Sequence, residues 1–172
     1  NMFDPSQGAV FCIDKPAGIT SFDVVLRIRQ ILPAGVKIGH AGTLDPMATG
    51  LLIICLGKAT KVMTLFQRLP KRYRAEVLFG MSTDTDDTTG TVVRETIPAP
   101  GKDTPGLREQ LKSIIPRFRG SIEQYPPNYS AVKIAGKRAY VLARKGKTQK
   151  LKSREIELYS IELQDIVANR VW

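Results

Sequence analysis

Cysteine, histidine and tryptophan are scarce in these 172 residues, at two, one and one. One histidine cannot build a histidine metal cluster within a single chain, and two cysteines imply neither a disulfide framework nor a zinc site. Cys12 and Cys55 lie inside the apolar runs "AVFCID" and "LLIICLG", where a thiol behaves as a small buried hydrophobe. No stretch reaches the roughly 20 apolar residues of a membrane span. The opening "NMFDPSQG" lacks the basic and then apolar run of a secretory signal, so a soluble, cytoplasmic protein is expected. Acid is the remaining shortage. With 16 Asp and Glu against 26 Lys and Arg the formal charge is +10, which points to a polyanionic partner such as nucleic acid or an anionic membrane. No internal repeat and no low-complexity segment is found.

What is present is enough apolar sequence, 42%, to fill the core of one ordinary domain. "GAVFCID" reads as a first strand, and "KPAGITS" supplies Pro16 and Gly18 as turn formers and Ser21 as a helix N-cap. Helical spacing of apolar residues over 22–32 predicts an amphipathic helix ended by Pro33. "GHAGTLDPMATG" at 39–50 reads as a loop, 51–57 as a buried strand and 58–69 as a second helix. Alternation predicts a strand over 72–79, followed by a polar loop at 80–90 and a return strand near 91–97. A proline-rich linker at 98–106 leads to a helix over 106–118, a strand over 119–124 and an alternating strand at 155–163. "NRVW" begins another strand that stops at Trp172, as in a truncated domain. Strands and helices mix without regular βαβ alternation, so the expected class is α+β with a largely antiparallel sheet.

Several candidate sites fail on spacing. "GLLIICLGKATK" has six residues between Gly50 and Gly57, and Ala59 follows Lys58, whereas a phosphate loop needs four residues and a Ser or Thr after the lysine. Asp84, Asp86 and Asp87 lack the further ligands and the twelfth-position glutamate of an EF-hand, so a solvated acidic turn is the plainer reading. His40 has no G-x-S-x-G partner motif and reads first as a packing or hydrogen-bonding residue.

Asp45 is different. It is the only carboxylate between Asp23 and Glu76, with nine Lys and Arg across 24–75. Two readings stay open. An aspartate before proline can bond its own backbone in a turn. Alternatively, surrounding cations hold an ionised carboxylate ready as nucleophile or general base, and glycines 39, 42 and 50 let a partner approach the backbone closely. Tyr73, in "KRYRA", either packs against cationic stems or stacks on an unpaired base. Residues 133–154 hold nine basic residues and no acid, which favours a nucleic-acid surface.

Four blocks together resemble the TruB family of pseudouridine synthases: "DKPAGITSFD", "GHAGTLDPMATGLLIICLGKATK", "KRYRAEVLFGMSTDTDDTTG" and "QYPPNYSAVKIAGKRAYVLARKG". The third resembles the stand-alone tRNA-modifying members more than the guide-RNA-dependent ones. The resemblance implies a pseudouridine synthase fold, of which residues 1–172 are the N-terminal portion of the catalytic domain with no PUA domain, and isomerisation of uridine 55 in the T-loop of tRNA. It implies that Asp45 attacks ribose C1′ or base C6, that His40 supports the space vacated in the RNA, and that Tyr73 stacks on the flipped base. Residues from about 124 to 154 match the family's RNA-gripping segment, with Arg72, Lys133 and Lys137 as expected backbone contacts. No cofactor and no metal is implied; the partner is the tRNA T-arm, bound by a monomer. Family members continue past "NRVW" to a block with a Tyr and an Arg that pairs with the aspartate. A chain whole as given is therefore open to a second reading, an RNA-binding or RNA-folding module without catalysis.

Overall fold

A computed structural model of the chain describes residues 4, 6–96, 106–126, 133–134, 137–138 and 152–172. Packing divides it into two compact units, Asn1–Arg72 and Tyr73–Trp172.

The first unit is built on three antiparallel strands. β1 (Ala9–Lys15) pairs along its whole length with β3 (Gly50–Leu56), from Ala9 opposite Leu56 to Lys15 opposite Gly50. β2 (Ile38–His40) takes the other edge of β3, giving the order β1-β3-β2. β3 is apolar on both faces because it is central, and its Leu52, Ile54 and Leu56 are buried against Val24 and Val25 of α1 (Ser21–Arg29). Ile13, Ile19, Ile38 and Leu44 pack around them. Each fully buried aliphatic side chain contributes roughly 2 kcal/mol.

Thr20, not Ser21, caps α1. The Thr20 Oγ1 accepts from the Asp23 N–H at 3.0 Å and the Asp23 carboxylate accepts from the Thr20 N–H at 2.7 Å, a reciprocal capping box. Ser21 lies within the helix and is buried. α1 also stops short of the expected end: Gln30 is the C-cap, because the residue before Pro33 is driven out of the helical region and the chain must turn first. Beyond β3 the expected single helix is two pieces, a 3-10 stretch at Gly57–Val62 and α2 (Met63–Gln67). Neither has a side-chain N-cap, and Thr60 Oγ1 donates instead to the Gly57 carbonyl at 2.7 Å.

The second unit is an assembly of short antiparallel pieces. β4 (Val77–Leu78) joins β12 (Arg170–Val171) and β11 (Ile166–Val167); β5 (Met81–Thr83) pairs with β6 (Val92–Glu95). β7 (Gly120–Gln124) pairs with β10 (Arg154–Leu158), and β8 (Lys133–Ile134) with β9 (Lys137–Arg138). α3 (Leu107–Ile114) buries Leu107 and Leu111 with Val171, flanked by Phe79, Ile115, Leu163 and Ile166.

The expected strand over 72–79 contracts to Val77–Leu78, since residues 72–76 are all exposed and, among the described residues, have no partner strand to reward their alternation. The strand at 155–163 likewise ends at Leu158, and Leu163 joins the α3 core. Every pairing is antiparallel, as expected of the α+β class. The linker before residue 106 and most of the basic segment lie outside the described residues. Among the described residues no helix is long and apolar enough to cross a membrane.

Candidate functional site

The 41–49 loop joins β2 to β3 and carries Asp45. Gly42 and Gly50 bracket it with φ of 126° and 117°, a left-handed backbone that side chains resist. A Cβ at either would meet nothing within 4 Å, so conformation and not crowding calls for glycine there. Gly39 serves a different end. It lies in β2, where a Cβ would come within 2.8 Å of the Met63 sulfur.

Backbone anchors hold the loop from three sides. The Ala41 N–H donates to the Ile53 carbonyl at 2.8 Å. Leu44 is tied to Ser21, whose Oγ accepts the Leu44 N–H at 2.9 Å and donates to its carbonyl at 3.1 Å. The Pro46 carbonyl accepts from the Gly18 N–H at 2.8 Å and from Lys15 Nζ at 3.3 Å. Among the described residues Lys15 is the most deeply buried of charged type, at 0% exposure. Its Nζ also donates to the carbonyls of Pro16 at 2.9 Å and Ile19 at 2.8 Å, so all three ammonium donors are satisfied and the cost of burying them is offset.

Asp45 sits between the two anchored residues. Its carbonyl accepts the Ala48 N–H at 3.0 Å. Its side chain is exposed and, among the described residues, makes no hydrogen bond and no ion pair. The turn reading required a carboxylate spent on its own backbone, and that bond is not made. Nor does any described Lys or Arg pair with it, so its cationic neighbours do not restrain it. The result is a rigidly mounted backbone with an unencumbered carboxylate on an open surface, which suits attack on a group brought by a large ligand.

His40 closes β2, half-buried, with Nδ1 2.6 Å from the Gly42 carbonyl. A carbonyl only accepts, so Nδ1 carries the proton and the ring is oriented at the head of the loop. His40 and Asp45 are thus brought onto one short segment. Arg72 ends the first unit, exposed, and Tyr73 opens the second with 71% of its surface exposed; no core claims that ring. Lys133 and Lys137 lie on the β8–β9 pair of the second unit, opposite Arg138 and Ile134.

The acidic turn between β5 and β6 is internally bonded. Asp87 accepts from the Thr89 N–H and hydroxyl and from the Thr85 hydroxyl, and the Thr91 N–H donates to Asp84. The Thr89 hydroxyl, foremost, holds the Asp87 carboxyl below its ordinary range. The thiols differ from the sequence expectation in one respect: Cys55, on the central strand β3, is buried, but Cys12, on the edge strand β1, is exposed.

Lys15 and Ser21 are the residues that sequence reasoning passed over. Lys15 follows Ala9, Phe11 and Ile13 in the phase of β1 that faces Leu52, Ile54 and Leu56, and a lysine in an inward phase is a readable signal. Ser21 offers none, since a serine after threonine at a helix start is read as a cap.

Comparison with known proteins agrees with the fold. A solved H/ACA ribonucleoprotein bound to a substrate RNA containing 2′-deoxyuridine holds a chain that is 26% identical and superposes with a TM-score of 0.53, over 97% of this chain and 37% of that one. The class so defined is the pseudouridylate synthases: the family described as "TruB family pseudouridylate synthase (N terminal domain)" matches residues 29–171. The chain belongs to the TruB family. It is 47% identical over 158 residues to the tRNA pseudouridine synthase B of Acholeplasma laidlawii, covering 92% of this chain and 54% of that protein. With the protein of that name from Aquifex aeolicus it shares 51% over 151 residues, 88% of this chain and 50% of that one. The chain thus spans about half the length of these relatives.

Proposed function

We propose that the protein isomerises uridine to pseudouridine at position 55 in the T-loop of tRNA, as a cytoplasmic monomer with no metal or cofactor, and that Asp45 is its nucleophile. The observation that carries the reading is the Asp45 carboxylate, exposed and without a bond to any described residue, on a loop fixed at both neighbouring residues, in a chain of the TruB family. A carboxylate kept for structure would be occupied; a nucleophile must be free and aimed.

The target base is first extruded from its loop, at a cost of a few kcal/mol. Asp45 then attacks ribose C1′, displacing N1, or base C6, after which the bond between N1 and C1′ breaks. The uracil turns, C5 joins C1′, and the bond to Asp45 breaks in turn, displaced by C5 at C1′ or eliminated from C6, which frees the carboxylate. The C5 proton leaves to solvent and N1 gains one, so atoms balance without an external reactant. Tyr73, exposed and without a core to fill, stacks on the extruded base. His40, fixed by the Gly42 carbonyl, supports the space left in the RNA. Arg72, Lys133 and Lys137 hold phosphates.

The test is position. Unmodified tRNA treated with the intact protein, then with carbodiimide and reverse transcriptase, is expected to give one stop, reporting pseudouridine at position 55. A stop elsewhere, or none, contradicts the assignment.

A further inference from the structure

We propose that Ser21 is a positioning residue for Asp45, acting only through its hydroxyl. The inference rests on reading Asp45 as the nucleophile. β2 ends at His40 and β3 begins at Gly50, and of the nine residues between them only Ala41 is held by the strand, through its N–H to the Ile53 carbonyl; loop segments without such support open at low cost. Residue 46, after Asp45, is tied by two donors, the Gly18 N–H and Lys15 Nζ. Residue 44, before it, packs its side chain in the core, but among the described residues its backbone is hydrogen-bonded by Ser21 alone: one oxygen accepts the Leu44 N–H and donates to the Leu44 carbonyl. A hydroxyl is the small side-chain group that can do both at once, and here it replaces the missing strand neighbour.

Ser21 is 2% exposed, so it has no means of touching RNA. Its removal therefore leaves tRNA affinity intact while releasing the peptide on the N-terminal side of the nucleophile, and a displacement near 1 Å at a reacting group can cost up to about a hundredfold in rate. That combination separates positioning from a merely structural role, which would lower folding and binding together.

Threonine and valine share one shape and differ by the hydroxyl, so steric disturbance at the buried position cancels between them. The experiment measures single-turnover tritium release from tRNA labelled at uracil C5, and tRNA binding, for Ser21→Thr, Ser21→Val and Asp45→Asn in the intact protein. Ser21→Val is expected to release tritium at least about tenfold more slowly than Ser21→Thr, with tRNA affinity equal within about twofold. Hydrogen exchange at the Leu44 amide should be faster in Ser21→Val than in Ser21→Thr. Equal release rates for the two would overturn the role of Ser21. The Asp45→Asn arm keeps the two ideas apart: release surviving there defeats the nucleophile reading itself, while release abolished there with Thr and Val equal defeats the Ser21 inference alone.

Discussion

Lys15 shows how much of the candidate site is decided by single residues. A lysine at 0% exposure is costly unless every donor finds an acceptor, and here the three acceptors are backbone carbonyls of Pro16, Ile19 and Pro46. The first two belong to the turn after β1, the third to the loop of Asp45, so one side chain joins two loops that the sheet alone would leave independent. Lys15→Met keeps the apolar stem and removes the donors, leaving the Pro16 and Ile19 carbonyls without the lysine and the Pro46 carbonyl with the Gly18 N–H only. Chemical denaturation of the intact protein should register a loss of about 2 kcal/mol, and tritium release should fall more than tRNA affinity. Asp45 itself was conspicuous in the sequence by isolation, as the sole acid of a long basic stretch. The choice between the turn and nucleophile readings was not legible there, because turn aspartates are common and the bonds of its side chain are not written in the sequence. Ser21 was legible only as a helix start, since its partner, Leu44, lies 23 residues away.

The elements were legible in proportion to their burial. β1 and β3 match the runs that predict them, because both pack on α1 and the alternation is enforced by a core. β2 was hidden inside the apparent loop, three residues with a central glycine and no run to mark it. The strand expected over 72–79 failed for the opposite reason: its alternation is real, but residues 72–76 find no partner strand among the described residues and stay exposed. α1 was predicted with its cap displaced by one residue, since Thr20 and Ser21 are equally good caps and only the Asp23 reciprocal bond to Thr20 selects between them. The hydrogen bond from the Thr20 side chain, before the Thr20 backbone bond, lowers the Asp23 carboxyl from its ordinary value of 3.8. A carboxyl depressed in the folded state adds stability above its unfolded value and loses that increment as pH falls through its folded one. The stability of the parent should therefore fall more steeply than that of Asp23→Asn as acid is added below about pH 4, read from urea unfolding midpoints at each pH.

At the scale of the whole molecule the governing quantity is charge. A net +10 favours a polyanion at long range, and under the proposed function base-specific chemistry at Asp45 would need only a few residues once the RNA is held. Binding of tRNA should weaken steeply with salt. Replacing Arg72, Lys133 and Lys137 together by alanine should reduce the slope of log K against log salt by about 2 to 3, as expected for the loss of that many phosphate contacts, without moving the modified position. The unit boundary between Arg72 and Tyr73 was not marked in the sequence by any linker composition, because "KRYRA" reads as continuous strand. The measurement that bears most directly on the account is tritium release from uracil C5-labelled tRNA by the intact protein and its Asp45→Asn variant. The account predicts full release by the parent and none above background by Asp45→Asn, with tRNA affinity retained. Turnover by Asp45→Asn at a rate near the parent's would contradict it.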